Sequence, residues 1–179
     1  NYAAETGALS VNLATGQVTD AAGRLDLVSG FESVQTGSGN DTLEGSSRAD
    51  TLRGGAGNDV FIAGLDAHNS DLFEGEAGTD LLRYSAVTSD LSITNFTAGS
   101  AGQNNLQYQV GTGTYYDYYT NLEGLGGGLG NDQLSLAAGS AAAVLEGAAG
   151  HDSLRGASGS DTLLGGDGND MLSGGTGDD

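Results

Sequence analysis

The sequence contains no cysteine, no proline and no tryptophan, and aromatic residues make up only 6% of its 179 residues. Because cysteine is absent, neither a disulfide framework nor a thiolate metal site can hold the chain together. The scarcity of aromatic side chains argues against an ordinary globular core. Whatever core the chain forms must therefore be thin.

Basic residues are also scarce, since 5 Lys and Arg stand against 24 Asp and Glu and leave a formal net charge of −19. This charge excludes nucleic acid as a partner, because binding phosphates requires a positive surface. The natural counter-ion of the chain is a cation. A disordered acidic tail is the alternative, but the acidic residues stand singly between glycine and apolar residues rather than in runs.

No apolar run approaches the roughly 20 residues that a membrane helix needs, so membrane insertion is not expected. The first residues, Asn-Tyr-Ala-Ala, carry no basic and apolar signal segment. The sequence does not begin with methionine, and residues 174–179 are an incomplete copy of the repeat described next. We therefore expect the chain to be a piece of a longer protein.

Glycine, by contrast, occurs 33 times and marks a repeated nonapeptide, whose clearest copy is Gly-Gly-Ala-Gly-Asn-Asp-Val-Phe-Ile at residues 54–62. We number its positions one to nine. Copies follow one another at a spacing of nine residues, with one short insertion in each half of the chain. The residues at position six are Asp41, Asp50, Asp59, Asp71 and Asp80, followed by Asp132, Ala143, Asp152, Asp161, Asp170 and Asp179.

Two other positions are also regular. Position four is usually glycine, and position eight is apolar in every copy. The residues at position eight are Leu43, Leu52, Phe61, Phe73, Leu82, Leu134, Leu145, Leu154, Leu163 and Leu172. Three positions that are fixed together predict an array in which many copies of one small unit stack.

Each series of repeats follows a segment that is poor in glycine, and these two segments resemble each other. Residues 2–11 correspond to residues 84–93, with Tyr, Thr, Leu and a β-branched residue at matching places. We therefore predict two modules, 1–83 and 84–179. In module one, residues 1–35 form the strand segment and 36–83 the repeats; in module two, these are residues 84–126 and 127–179.

The sequence predicts an all-β fold, because no stretch has a helical period and frequent glycine weakens helices. Each repeat divides into a turn, positions one to six, and a short strand. Two repeats then complete one flattened coil of a parallel β-roll, with the position-eight residues meeting as a narrow core. Residues 137–145 are the one place where a turn of helix is plausible, but the register of Leu145 favours a degenerate repeat. In the leading strands, Leu91, Ile93 and Asn95 are expected on one side.

The turns predict a cation site. Glycine lets the backbone turn tightly and direct its carbonyl oxygens to a common point, where the aspartate adds charge. An all-oxygen environment suits Ca²⁺ better than Zn²⁺, Cu²⁺ or Mg²⁺. Turns two repeats apart lie about 4.7–4.9 Å apart on one edge, where their carboxylates would repel one another without a cation. The predicted pairs of turns end at Asp41 and Asp59, Asp59 and Asp80, Asp132 and Asp152, Asp152 and Asp170, and Asp161 and Asp179.

The motif Gly-Gly-x-Gly-x-Asp-x-apolar-x resembles the calcium-binding nonapeptide of RTX (repeats-in-toxin) proteins. Residues 54–62 and 165–173 match it fully; residues 36–44, 75–83, 127–135, 147–155 and 156–164 match with one or two changes. Copies 45–53, 66–74 and 138–146 depart from it, which leaves ions at those turns in doubt. The resemblance implies a parallel β-roll that holds several calcium ions between its turns, folds outside the cell and is exported by type I secretion from a Gram-negative bacterium.

The metal ligands that we expect are carboxylates at position six and glycines of the turns. The carboxylates belong to Asp41, Asp50, Asp59, Asp80, Asp132, Asp152, Asp161, Asp170 and Asp179. The glycines are Gly37, Gly39, Gly55, Gly57, Gly78, Gly128, Gly130, Gly150, Gly159, Gly166, Gly168, Gly175 and Gly177.

No catalytic motif is present, and we expect His68 and His151 to be exposed loop residues rather than catalytic or zinc-binding ones. The expected function is therefore structural: a calcium-dependent segment of a secreted or cell-surface protein such as an adhesin, a surface-layer protein or a matrix component. Self-association and contact with neighbouring modules are further expectations. The alternative is the calcium-binding accessory region of a secreted enzyme, such as a serralysin-type protease or an alginate epimerase.

The run Tyr115-Tyr116-Asp117-Tyr118-Tyr119 lies outside the repeats. On a strand, Tyr116 and Tyr118 would face one way, and Tyr115, Asp117 and Tyr119 the other. One face is expected to cap the core of the roll. A contact surface for carbohydrate or for another subunit is the alternative, because tyrosine offers flat amphipathic area.

Overall fold

A computed structural model describes residues 1–64 and 70–179 of the chain, and these residues form strands, turns and loops without a helix. The strands are β1 (Leu9–Asn12), β2 (Gln17–Asp20), β3 (Leu25–Leu27), β4 (Ser33–Gln35), β5 (Thr42–Glu44), β6 (Thr51–Ala56), β7 (Val60–Ile62), β8 (Leu72–Ala77), β9 (Leu81–Arg83), β10 (Leu91–Phe96), β11 (Asn104–Val110), β12 (Gly113–Thr120), β13 (Gly124–Gly126), β14 (Gln133–Leu136), β15 (Val144–Ala149), β16 (Ser153–Arg155), β17 (Thr162–Asp167) and β18 (Met171–Ser173).

The strands form two sheets of nine strands each, in the orders β17-β15-β13-β9-β7-β5-β1-β2-β3 and β18-β16-β14-β10-β11-β12-β8-β6-β4. Strands of successive repeats alternate between the sheets, so each strand pairs in parallel with the strand two repeats away. Leu43 of β5 is thus in register with Phe61 of β7, and Leu154 of β16 with Leu172 of β18. The prediction of a parallel β-roll is confirmed, and the roll has about seven turns.

In the repeats, the core between the two sheets is a row of position-eight side chains, and the strands ahead of the repeats add further buried residues, such as Leu91, Ile93 and Phe96 of β10. Eight of the position-eight residues are buried with 0–1% of their surface exposed: Leu43, Leu52, Phe61, Phe73, Leu82, Leu134, Leu145 and Leu154. The rings of Phe61 and Phe73 pack edge to face, with centroids 5.8 Å apart. Only at the end of the stack does burial decrease, to 48% exposure for Leu172. The thin core expected from the composition is therefore one apolar side chain wide in most strands of the repeats.

The strand segments ahead of the repeats form antiparallel meanders that join the parallel sheets. In the first, β1 pairs with β2 and β2 with β3; in the second, β10 pairs with β11 and β11 with β12. The expected alternation holds for Leu91 and Ile93, which are buried. It fails at Asn95, which is exposed, because the pairing of β10 with β14 shifts register after Ile93 and turns Phe96 into the core instead.

Strand β12 carries the tyrosine run and confirms its predicted alternation. Asp117 and Tyr119 are 1% exposed on the inner face, whereas Tyr116 on the outer face is 44% exposed. Tyr119 is in register with Phe73 of β8. One face of the run therefore forms part of the core, as expected.

Residues 137–149 contain no helical turn. Strand β15 follows Ala143 and pairs in parallel with β13 and β17, and Leu145 is fully buried. The interpretation of this stretch as a degenerate repeat is confirmed.

Both sheets pass through the boundary between the two predicted modules. Strand β12 pairs with β8, and β13 pairs with β9, all in parallel. The buried residues form one continuous apolar cluster. Within the described residues, no helix is long and apolar enough to cross a membrane.

Candidate metal centre

The turns of successive coils are stacked closely along each edge of the roll. In the turn at residues 54–59, the Ala56 N–H donates to the Gly37 carbonyl oxygen of the preceding coil at 2.8 Å. The Gly57 N–H donates to the Ala77 carbonyl oxygen of the following coil at 2.9 Å. Gly57 has a φ of 128°, and a Cβ at this residue would overlap the carbonyl oxygen of Gly39. Glycine at position four is therefore required both by the backbone conformation and by the close approach of the turns.

A ladder of hydrogen bonds joins the position-six residues of stacked turns. In each step, a backbone N–H donates to Oδ1 of the aspartate in the next coil. The steps are Asp41 to Asp59 (2.8 Å), Asp59 to Asp80 (2.8 Å), Asp132 to Asp152 (2.7 Å), Asp152 to Asp170 (2.9 Å) and Asp161 to Asp179 (2.9 Å). The structure thus brings together all five predicted pairs of turns, including Asp59 and Asp80 across the insertion.

The other oxygen of several ladder carboxylates has no partner. Oδ2 is buried and accepts no hydrogen bond in Asp41, Asp59, Asp80 and Asp152, all of which are at most 2% exposed. A buried anionic oxygen without a partner is costly, so it marks a place for a cation or a proton. The residues therefore fit a bound metal ion in the turns.

The remaining ligands of such an ion have to come from the backbone. In the part of the chain that the structure describes, no three Asp, Glu or His side chains converge as a conventional metal cluster. Carbonyl oxygens are nearby instead: next to Gly147 of one turn lie both Oδ2 of Asp152 and the carbonyl oxygen of Gly165 in the following turn. Carbonyls and carboxylates together form a hard, all-oxygen set that suits Ca²⁺.

The electrostatics of the ladder agree with this geometry. Burial raises the pKa of Asp59 to about 6, against the opposing hydrogen bond from the Asp41 N–H, and the carboxylates of Asp41 and Glu76 add to the shift. Burial also raises the pKa of Asp80 to about 7, and the carboxylates of Asp59 and Glu123 act in the same direction. Without a cation, these carboxylates are therefore poorly stabilised as anions near neutral pH.

Some position-six carboxylates are satisfied within their own turns. Oδ2 of Asp132 accepts the Gly128 N–H at 2.6 Å, and Oδ2 of Asp161 accepts the Ala157 N–H at 3.1 Å. In copy 45–53, Oδ2 of Asp50 accepts a hydrogen bond from the Ser46 N–H at 2.5 Å, and the Ser46 hydroxyl lies 3.3 Å from Oδ1. The Asp50 carboxylate is thus satisfied by its own turn. In copy 138–146, position six is Ala143, which has no carboxylate. Its N–H still donates to Oδ1 of Asp161 at 3.0 Å. Copy 66–74 lies partly outside the described residues.

Three carboxylates occupy ladder places that the repeat pattern did not assign to the site. Asp71 accepts the N–H of Asp50, and Asp117 in turn accepts the N–H of Asp71 at 3.0 Å. Glu123 accepts the N–H of Asp80 at 2.8 Å. Asp71 lies in a copy that departs from the motif, and Asp117 and Glu123 lie outside the repeats. An apolar residue, Tyr119 or Leu125, follows two places after each of these two, and Glu123 also lies nine residues before Asp132.

The histidines do not form a catalytic or zinc site in the described residues. His151 is exposed, as expected, and its Nδ1 accepts the Asn169 N–H at 2.9 Å in a second ladder at position five. His68 lies outside the described residues.

Fold and site together define a parallel β-roll whose turns carry a ladder of buried carboxylates. The family model of the RTX calcium-binding nonapeptide repeat matches residues 35–67 and 146–179, in four copies. These segments belong to the RTX repeat family, so the resemblance found in the sequence is confirmed. RTX nonapeptide repeats bind calcium and typically occur in secreted bacterial proteins. No curated protein matches the chain.

The raised pKa values predict how the calcium-free chain responds to pH. Burial raises the pKa of Asp132 to about 6, and that of Asp59 and Asp80 to about 6 and 7. Unfolded aspartate titrates near 3.9. The folded state therefore binds more protons than the unfolded state between about pH 4 and 7, and its stability falls as pH rises through this window.

We expect more β-structure at pH 5 than at pH 7.5 in excess chelator, measured by circular dichroism. The same comparison in saturating calcium is the control and should show a much smaller difference. A β signal that increases with pH in chelator would contradict the expectation.

Proposed function

We propose that this chain is a calcium-dependent structural β-roll that folds when calcium enters its turns. The buried, unpartnered Oδ2 atoms of the stacked aspartates carry the proposal. Calcium bound there supplies the positive charge that these oxygens lack. The residues that would hold it are the position-six carboxylates and turn glycines predicted from the sequence.

The strongest calcium sites would be the turns in which Oδ2 of the aspartate has no hydrogen-bond partner. Asp41, Asp59 and Asp152 combine a ladder hydrogen bond with a free buried oxygen. Oδ2 of Asp50, Asp132 and Asp161 each accepts an N–H of its own turn, so these turns would be weaker sites. Calcium affinity should therefore vary along the roll.

Binding and folding are coupled in this proposal. The net charge of −19 and the thin core give little stability to a calcium-free roll. A chain of this kind gains its stability from the ions that it binds. Low calcium in a bacterial cytosol would leave it unfolded for type I export, and millimolar calcium outside would fold it.

The proposed biological role is that of a secreted or cell-surface building element, such as an adhesin stalk, a surface-layer protein or a matrix component. Two modules, 1–83 and 84–179, would add length to one continuous solenoid. Support comes from the sheets that run through both. The calcium-bound solenoid would thus have a structural role.

Circular dichroism tests the coupling directly. We expect a disordered spectrum in EGTA and a β spectrum after addition of millimolar calcium, reversibly and with a steep dependence on calcium. Magnesium at the same concentration is the control and should produce little β signal, because it requires stricter geometry and dehydrates reluctantly. A β spectrum that is unchanged in excess EGTA at neutral pH would overturn the proposal.

A further inference from the structure

Three of the repeat turns, those that begin at Gly127, Gly147 and Gly156, share a local arrangement of two oxygens. Next to the position-one glycine lie Oδ2 of the aspartate in the same turn and the position-one carbonyl oxygen of the next turn on that edge. At Gly156 these are Asp161 and Gly174, and a Cβ added to this glycine would overlap both oxygens. The pair marks the space between two stacked turns.

The same pair occurs at Gly75, where no nonapeptide follows on that edge. A Cβ at Gly75 would overlap Oδ2 of Asp80 and the carbonyl oxygen of Asn121. Asn121 lies in the short connection between β12 and β13 and has a φ of 47°, a conformation that asparagine tolerates better than most residues. The connection at residues 121–123 therefore replaces a glycine-rich turn.

Glu123 completes the replacement. Its Oε2 accepts the Asp80 N–H at 2.8 Å, the role that aspartate has in the regular ladder. Its own N–H donates to the Asp80 carbonyl oxygen at 2.9 Å, which fixes the two turns against each other. A glutamate compensates for the shorter connection because its side chain is one methylene longer than that of aspartate.

The burial of Asp80 is a second, independent observation that indicates a ligand beside Gly75. Asp80 is 0% exposed, and its Oδ2 has no hydrogen-bond partner. The charged groups that act on it are the carboxylates of Asp59 and Glu123, both of its own sign. The Asp80 Oδ2 beside Gly75 is thus buried, anionic and uncompensated.

We propose that Asp80, Glu123 and the Asn121 carbonyl form a divalent-cation site that lies partly outside the nonapeptide repeats. The all-oxygen set fits a hard cation, with Ca²⁺ as the ion of suitable size and flexibility. The site rests on the proposed function, because it extends calcium binding to the coil where the repeats are interrupted. It would connect the two predicted modules through a shared ion.

Counting bound ions tests the site. Native mass spectrometry of the whole chain in calcium should show one ion fewer for Glu123→Gln than for the original sequence. Glutamine keeps an oxygen to accept the Asp80 N–H but removes the charge. Glu76→Gln is the matched control, because Glu76 is an exposed glutamate in the turn that ends at Asp80. Loss of its charge should leave the ion count unchanged.

A second variant covers the case in which Glu123→Gln does not fold at saturating calcium. Glu123→Asp keeps the charge but withdraws the carboxylate, so the site should lose its ion at low calcium and regain it at higher calcium. An ion count equal to that of the original sequence at every calcium concentration, in whichever variant folds, would overturn the proposed site. A chain that binds no calcium in any form would instead overturn the proposed function itself.

Discussion

The substitution Phe61→Ala should destabilise the calcium-loaded roll by about 3–5 kcal/mol, the usual cost of removing a buried aromatic ring. Phe61 is 0% exposed and lies in register between Leu43 and Leu82 of the neighbouring coils, with Phe73 against its edge. A core one side chain wide has few neighbours that could fill the cavity. Denaturant unfolding at saturating calcium, followed by circular dichroism, measures the effect.

Met171→Ala is the control for this substitution. Met171 also occupies a strand of the roll, but it is 70% exposed, so its truncation should change the free energy of unfolding by no more than about 0.5 kcal/mol. Equal losses for the two variants would show that the central row of side chains does not provide the stability of the roll.

The regular part of the fold could be predicted because the repeat fixes several properties at once. A spacing of nine residues sets one strand and one turn, and the position-eight residue of each strand must point inward. What the period could not predict is burial at the ends of the stack. Phe31 and Leu122 occupy equivalent places in the two predicted modules, each ten residues before the first position-six aspartate, Asp41 or Asp132. Phe31 is nevertheless 60% exposed, whereas Leu122 is 0% exposed. The difference arises because Leu122 lies between coils, whereas Phe31 lies next to β4, the edge strand at the N-terminal end of the stack.

The candidate site, like the fold, could be predicted where the repeat is regular. Stacked pairs such as Asp41 and Asp59 follow directly from the spacing of two repeats. Asp117 does not, because its place depends on how β12 of the second meander pairs with β8. Glu123 lies nine residues before Asp132, so the spacing indicates its place, but the motif requires aspartate there. The motif also treats Asp50 and Asp59 alike, and only the structure distinguishes a carboxylate satisfied by Ser46 from one that is not.

Asp59→Asn is expected to have opposite effects in the presence and absence of calcium. In calcium it removes a proposed ligand, so the calcium concentration for half-folding should rise at least about tenfold, since even outer-shell partners of metal ligands cost 10–100-fold. In chelator it removes a buried carboxylate that lacks a partner for Oδ2, so the residual β-structure at pH 7.5 should increase. Calcium titrations followed by circular dichroism measure both effects in one experiment.

Asp50→Asn is the matched comparison, because it makes the same chemical change at the same position of another repeat. Asparagine can still accept the hydrogen bond from the Ser46 N–H, so the turn keeps its internal contact. We expect the midpoint of the calcium titration to move less than about threefold, since this carboxylate is already satisfied without an ion. Equal shifts for Asp50 and Asp59 would mean that all ladder carboxylates bind calcium alike and that the unpartnered oxygens do not identify the sites.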